Sequence, residues 1–232
     1  MVIPLNKNSI FGTIIRLQKT ENQKHMQENK DNGEYNYLID EADKLKMSGE
    51  HQQAIKVCEK ILAQDLDFEQ AYEELGDNFL SLKEYDKAEK ALIQALRINP
   101  QSANAHYLIG FTHSALSNWF DSIEHLETAD RLQSNHPEVL RCLGWSIFHS
   151  GKRKQGLIIL ERALNLNPKD PLILSDLGIC YLNDKNFNRA DELFKKVLEI
   201  DPENKKVKEC LYAVRFFKSE FKKFRESNKN YN

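Results

Sequence analysis

A 34-residue ruler runs through this sequence. Ala42, Gly76, Gly110, Gly144 and Gly178 lie on it, and at a second phase so do Ala54, Ala88, Ser122, Gly156 and Ala190. Ala95, Ala129 and Ala163 mark a third phase, and Pro100, Pro168 and Pro202 fall on a fourth. Gly and Ala together supply about one residue in seven of an average chain, so five matches at one phase arise by chance roughly once in ten thousand trials. A fixed period of this length is the mark of a repeat architecture. One such unit is too small to bury an apolar face alone, so the units must stack and share a continuous core.

Each unit carries two apolar stripes of helical period, as in Tyr72, Leu75 and Phe79 followed by Ala88, Leu92 and Ala95. Gly76 and Ala88 stand where two antiparallel helices would cross, and the missing side chain lets the backbones approach. Asn99-Pro100, Asn167-Pro168 and Asp201-Pro202 stop the second helix, because proline disfavours the helical conformation of the residue before it.

These residues resemble the tetratricopeptide repeat, whose signature places a large apolar residue, Leu-Gly, Tyr, Ala, Phe, Ala and Pro within 34 residues. The unit at 69–102 carries Tyr72, Leu75, Gly76, Phe79, Ala88, Leu92, Ala95 and Pro100. The unit at 171–204 carries Leu174, Leu177, Gly178, Tyr181, Ala190, Phe194 and Pro202. The unit at 103–136 departs, with His106 and His113 at aromatic positions and Ser134 for proline. The first, 35–68, departs most, with Glu41 for leucine and Leu66 for proline. With 137–170 this makes five units. The resemblance implies an all-α, right-handed superhelical solenoid of antiparallel helix pairs, a protein-binding scaffold without catalytic chemistry.

In that family the first helix of each unit lines a concave groove. Mapping the family's positions here gives an acidic part, including Asp43, Glu73 and Asp77, and an aromatic part with Tyr107, Phe111, Arg141, Trp145, Phe148, Ile179 and Leu182. Large apolar side chains left facing water cost about 25 cal/mol per Å², and buried aromatics are typical anchors of interfaces. The expected ligand is a polypeptide segment with apolar anchors and a basic end. A carboxylate-terminated ligand is not expected, because Asp43, Glu73 and Asp77 would repel it.

Both ends lie outside the units. Lys205 to Arg225 places Val207, Cys210, Val214, Phe217, Phe221 and Phe224 on one helical face, as a capping helix whose stripe outlasts the cap and is able to pair with another helix. Residues 205–232 hold nine basic and three acidic residues, so contact with nucleic acid or an anionic membrane is the second reading. Residues 1–34 form an N-terminal extension in which Ile10, Phe11, Ile14, Ile15 and Leu17 accompany Arg16 and Lys19. That segment matches the expected ligand, so it is a candidate occupant of the groove of its own molecule or a neighbour's, and self-association through 1–20 or the C-terminal helix is a third reading.

No phosphate-binding glycine loop, GxSxG or HExxH occurs. His106 and His113 lie seven apart on one helical face but stand at packing positions without a third ligand, so no metal, cofactor or small-molecule substrate is expected. Cys58, Cys142, Cys180 and Cys210 form no CxxC pair, which suits reduced thiols. The N-terminus is broken by Pro4, Asn6, Lys7 and Asn8 and does not read as a secretory signal. A cytoplasmic location is expected.

Overall fold

The computed structural model describes residues 33–229. Among them, eleven helices follow one another in antiparallel pairs: α1 (33–47), α2 (His51–Leu62), α3 (Glu69–Ser81), α4 (Tyr85–Ile98), α5 (Ala103–Ala115), α6 (Trp119–Leu132), α7 (Pro137–His149), α8 (Arg153–Leu166), α9 (Pro171–Asn183), α10 (Phe187–Ile200) and α11 (Lys205–Lys229). The first helices from α3 onward begin at intervals of 34 residues. Each packs on its own second helix and on the second helix of the unit before, and successive first helices also touch, which makes an all-α solenoid.

The small residues sit where the pairs cross. A Cβ built on Gly76 would stand 2.5 Å from the Leu92 side chain. In the fourth unit both crossing residues are glycines, and a Cβ on Gly156 would meet the Gly144 carbonyl oxygen and the Phe148 backbone nitrogen at 2.6 Å. There backbone packs on backbone.

The turn between paired helices repeats as well. Gly49, Lys83, Ser117, Gly151 and Lys185 all have φ between 60° and 99° and share one phase of the 34-residue ruler. This left-handed residue closes the first helix. In the second unit Lys83 N–H donates to the Leu80 carbonyl and Glu84 N–H reaches back to that of Phe79 at 2.8 Å, satisfying carbonyls that the helix end would otherwise orphan. Only two of the five are glycine, so lysine or serine bears the backbone strain in the rest.

Glu41, the departure in the first unit, has a physical reason. Its counterparts Leu75, Ile109, Leu143, Leu177 and Leu211 are buried, because a preceding second helix lies over them. Glu41 is exposed, and Tyr37 is 67% exposed where Ala71, Ala105, Val139 and Ile173 are buried. Among the described residues no helix precedes α1, so a charged residue there is what a solenoid end requires. At the other end, Val207, Leu211 and Val214 of α11 are buried against the last pair.

Candidate functional site

Two polar networks occupy the faces of successive first helices. In the first, Lys46 Nζ lies 3.1 Å from Asp43 Oδ1, 3.0 Å from Glu74 Oε2 and 2.9 Å from Asp77 Oδ2. Burial disfavours the ammonium, but the hydrogen bonds it donates to Asp77 and Glu74 outweigh it and hold Lys46 protonated well above the ordinary lysine range. Burial also raises Glu74. Three carboxylates around one ammonium leave this cluster net negative. Glu73 stands apart from it, accepting hydrogen bonds from Ser102 Oγ and from Asn104 Nδ2, the latter at 2.8 Å. It is committed to the start of α5, because Ser102 also caps that helix through the Ala105 N–H.

The second network centres on Arg141. Its guanidinium donates to both Glu138 carboxylate oxygens, with Nε at 2.9 Å from Oε2, and to Asp176 on the next first helix. The Tyr107 hydroxyl donates to Glu138 at 3.2 Å. Burial acts to raise Glu138, but the Arg141 hydrogen bonds prevail and lower it, whereas Asp176 is raised by burial. Burial likewise pushes the Tyr107 hydroxyl up and Cys142 to about 12. A cavity of about 180 Å³ opens beside this network, lined by Phe111, Ser114, Ala115, Arg141, Cys142, Trp145 and Asp176. Trp145 is backed by His149, ring centroids 4.3 Å apart, and His149 in turn stacks on Trp119 at 5.2 Å.

Of the residues expected in the groove, Phe111, Arg141 and Trp145 share that cavity, and Asp43 and Asp77 meet at Lys46. Tyr107 is half-buried beside them, 6.4 Å from Phe111 between centroids. Ile179 and Leu182 are partly buried against the C-terminal core. Phe148 requires a correction. It is 3% exposed, packed in the core and against the Gly156 backbone, so it is a wall of the helix crossing and not a groove surface. Arg141 also differs from expectation, since two carboxylates already occupy its fork.

Glu138 and Asp176 are the participants that the family mapping passed over. Glu138 stands at the second position of its unit, on the same helix as Arg141. Asp176 stands at the sixth position of its unit, where the other units place Asp40, Glu74, Leu108 and Cys142; acids recur at this position, and a partly buried carboxylate signals a paired cation. Ile10 to Leu17 and their occupancy of the groove lie outside the described residues.

A third cluster joins His106, His113 and His125. His106 Nδ1 lies 3.0 Å from His125 Nδ1, and the His125 ring centroid is 5.2 Å from that of His106 and 5.9 Å from that of His113. Burial lowers His106 and His125 below the ordinary histidine range. No group of three or more metal-type ligands among the described residues could hold an ion, and no helix among them is long and apolar enough to cross a membrane.

Paired helices on a 34-residue ruler, small residues at each crossing and a face of first helices bearing partly buried aromatic and acidic groups define a tetratricopeptide-repeat solenoid. Family models agree, one for the TPR repeat matching residues 76–117 and one for the tetratricopeptide repeat matching 147–210. The chain carries tetratricopeptide repeats. It is 27% identical over 123 residues to anaphase-promoting complex subunit 3 of Schizosaccharomyces pombe, covering 53% of this chain and 18% of that protein. Its fold is similar to that of TTC0263, a thermophilic TPR protein of Thermus thermophilus, with TM-score 0.68 and 18% identity over 78% of this chain and 99% of that one. It is also similar to a chain of the APC/C hetero-tetramer Cut9–Hcn1, with TM-score 0.73 and 19% identity over 79% of this chain and 37% of that one. The chain spans 18%, 9% and 31% of the length of the first three curated relatives it matches.

Proposed function

We propose that this protein is an adaptor or assembly scaffold that captures a polypeptide segment carrying apolar anchors and a basic end along the face of its first helices. TPR proteins are protein–protein interaction scaffolds, and the relatives named above include subunits of a multiprotein complex. The observation that carries the ligand chemistry is the pairing of an aromatic-lined cavity, Phe111 and Trp145, with two networks in which carboxylates outnumber cations. An apolar side chain fills the cavity, and lysine or arginine of the same segment takes the surplus charge of Asp43, Glu74 and Asp77 or of Asp176. Affinity in the micromolar range, about −8 kcal/mol, suits such a segment. The isolated protein performs no catalysis in this reading.

The test is titration calorimetry with synthetic peptides bearing Leu and Phe anchors, flanked either by Lys or by Glu. The Lys-flanked peptide binds the wild type, Trp145→Ala weakens it about tenfold or more, and Asp43→Asn with Asp77→Asn weakens it further. Equal binding of both peptides, or indifference to Trp145→Ala, overturns the reading.

A further inference from the structure

The described part of α11 splits into two halves of different chemistry. Up to Val214 it caps the solenoid; beyond Val214 none of the residues through Phe224 is buried. On the 34-residue ruler the earlier first helices end at the counterpart of Phe217, and α11 continues to Lys229. The continuation carries an apolar stripe, with Phe217 50%, Phe221 37% and Phe224 63% exposed. These three rings, with Leu182 and Phe187 from the end of α9 and the start of α10, line a cavity of about 470 Å³. Phe187 and Phe221 meet edge to face at 5.8 Å, so the wall between α10 and α11 is already formed. Tyr212 occupies the position of the crossing glycines of earlier units and is 73% exposed, so the face that a second helix covers in those units is open on α11 as well, beside this stripe.

The lining itself holds one lysine, Lys185, and one acid, Glu220, and Lys218 and Lys223 beside it on α11 make the rim net basic. Lys185 Nζ lies 5.8 Å from the Phe221 ring centroid, and Lys218 Nζ donates to the Asn188 side chain at 2.7 Å. Glu220 is the acid in the lining, and Lys223 binds its carboxylate at 2.7 Å. Over residues 205–232 nine basic residues face three acidic ones. A second copy of α11 would bring the same sign of charge, as would the N-terminal segment with Lys7, Arg16 and Lys19. Neither complements the rim.

We propose that the cavity between the distal half of α11 and the α9–α10 turn docks an acidic amphipathic helix of a partner protein, two of its apolar side chains entering between Phe187, Phe217 and Phe221 while its Asp or Glu flanks meet Lys185 and Lys218. The polarity is opposite to that of the ligand proposed for the first-helix face. The protein then joins two partners of opposite charge, one at each site.

Fluorescence anisotropy with the full chain tests this, using a synthetic helix of about 18 residues with Leu at i, i+3, i+4 and i+7 and Glu on its flanks, beside a Lys-flanked twin. The Glu-flanked helix binds about tenfold tighter or better, and lowering salt strengthens it. Phe221→Ser with Phe224→Ser, both at exposed positions, lowers affinity about tenfold with the circular dichroism unchanged. Lys185→Glu with Lys218→Glu reverses the preference between the twins. Trp145→Ala leaves this binding intact, which separates it from the site on the first-helix face. The proposal is overturned if the Lys-flanked helix binds as well, if the phenylalanine pair has no effect, or if Trp145→Ala abolishes binding. A dimer that the phenylalanine substitutions dissolve, in a protein that ignores both helices, also overturns it and assigns the face to a second copy.

Discussion

The third and fourth units share one backbone frame and fill it with opposite chemistry. In the fourth, Gly144 and Gly156 let α7 and α8 touch through their backbones, with Leu140, Phe148 and Leu160 around them. In the third, the crossing holds Ser122, whose hydroxyl donates to the Gly110 carbonyl at 2.8 Å and lies 2.8 Å from Ser146 Oγ, and three imidazoles stand at its edge. The ruler dictates where the helices cross. The residues at the crossing decide whether the joint responds to volume or to protons.

Four changes break or sharpen that contrast. The largest belongs to the dry joint. Gly156→Ala forces a Cβ against backbone atoms that cannot swing aside and costs about 3 kcal/mol, read as a lowered midpoint in urea. At the equivalent position of the wet joint, Ser122→Ala adds no volume and costs about 1–2 kcal/mol, the worth of buried hydrogen bonds left incomplete. If the two substitutions cost the same, the distinction between the joints fails.

Acid comes third. Burial holds His106 and His125 below 6.5, and for His125 the neighbouring His106 and His113 add to it while Glu124 and Asp121 oppose it. The unfolded chain therefore binds protons more readily than the folded one. The stability these histidines contribute is present above about pH 6.5 and is lost as pH falls below it. Protection factors for hydrogen exchange in α5 and α6 fall on acidification before those in α8, and His125→Phe removes part of the difference. His149 in the fourth unit is also lowered by burial, so the contrast is one of degree.

The smallest change concerns the turns. Ser117 and Gly151 occupy the same left-handed position, at φ 62° and 99°. Ser117→Gly relieves strain and stabilises by about 0.5–1 kcal/mol, while Gly151→Ser destabilises by a similar amount. Thermal melts of the pair should move in opposite directions.

The ends tell a related story. Glu41 reads in the sequence as a blemish in the repeat and proves to be a residue that no second helix covers among the described residues. The stripe Phe217, Phe221 and Phe224 is legible as one helical face. That it leaves the cap and opens beside Phe187 is not, because the meeting depends on where α10 begins relative to α11.

Periodicity by itself determined the helix pairs, their crossings and the prolines that end the second helices, since each follows from local conformational preference or from the absence of a side chain at a fixed spacing. It also placed Trp145, Phe111 and the acids on the first helices. Only the tertiary structure decided that Phe148 turns into the core, that Arg141 spends its charge on Glu138 and Asp176, and that Lys46 gathers three carboxylates. Those partners lie on neighbouring helices, and a side chain's freedom to meet a ligand is set by what the adjacent unit has already offered it.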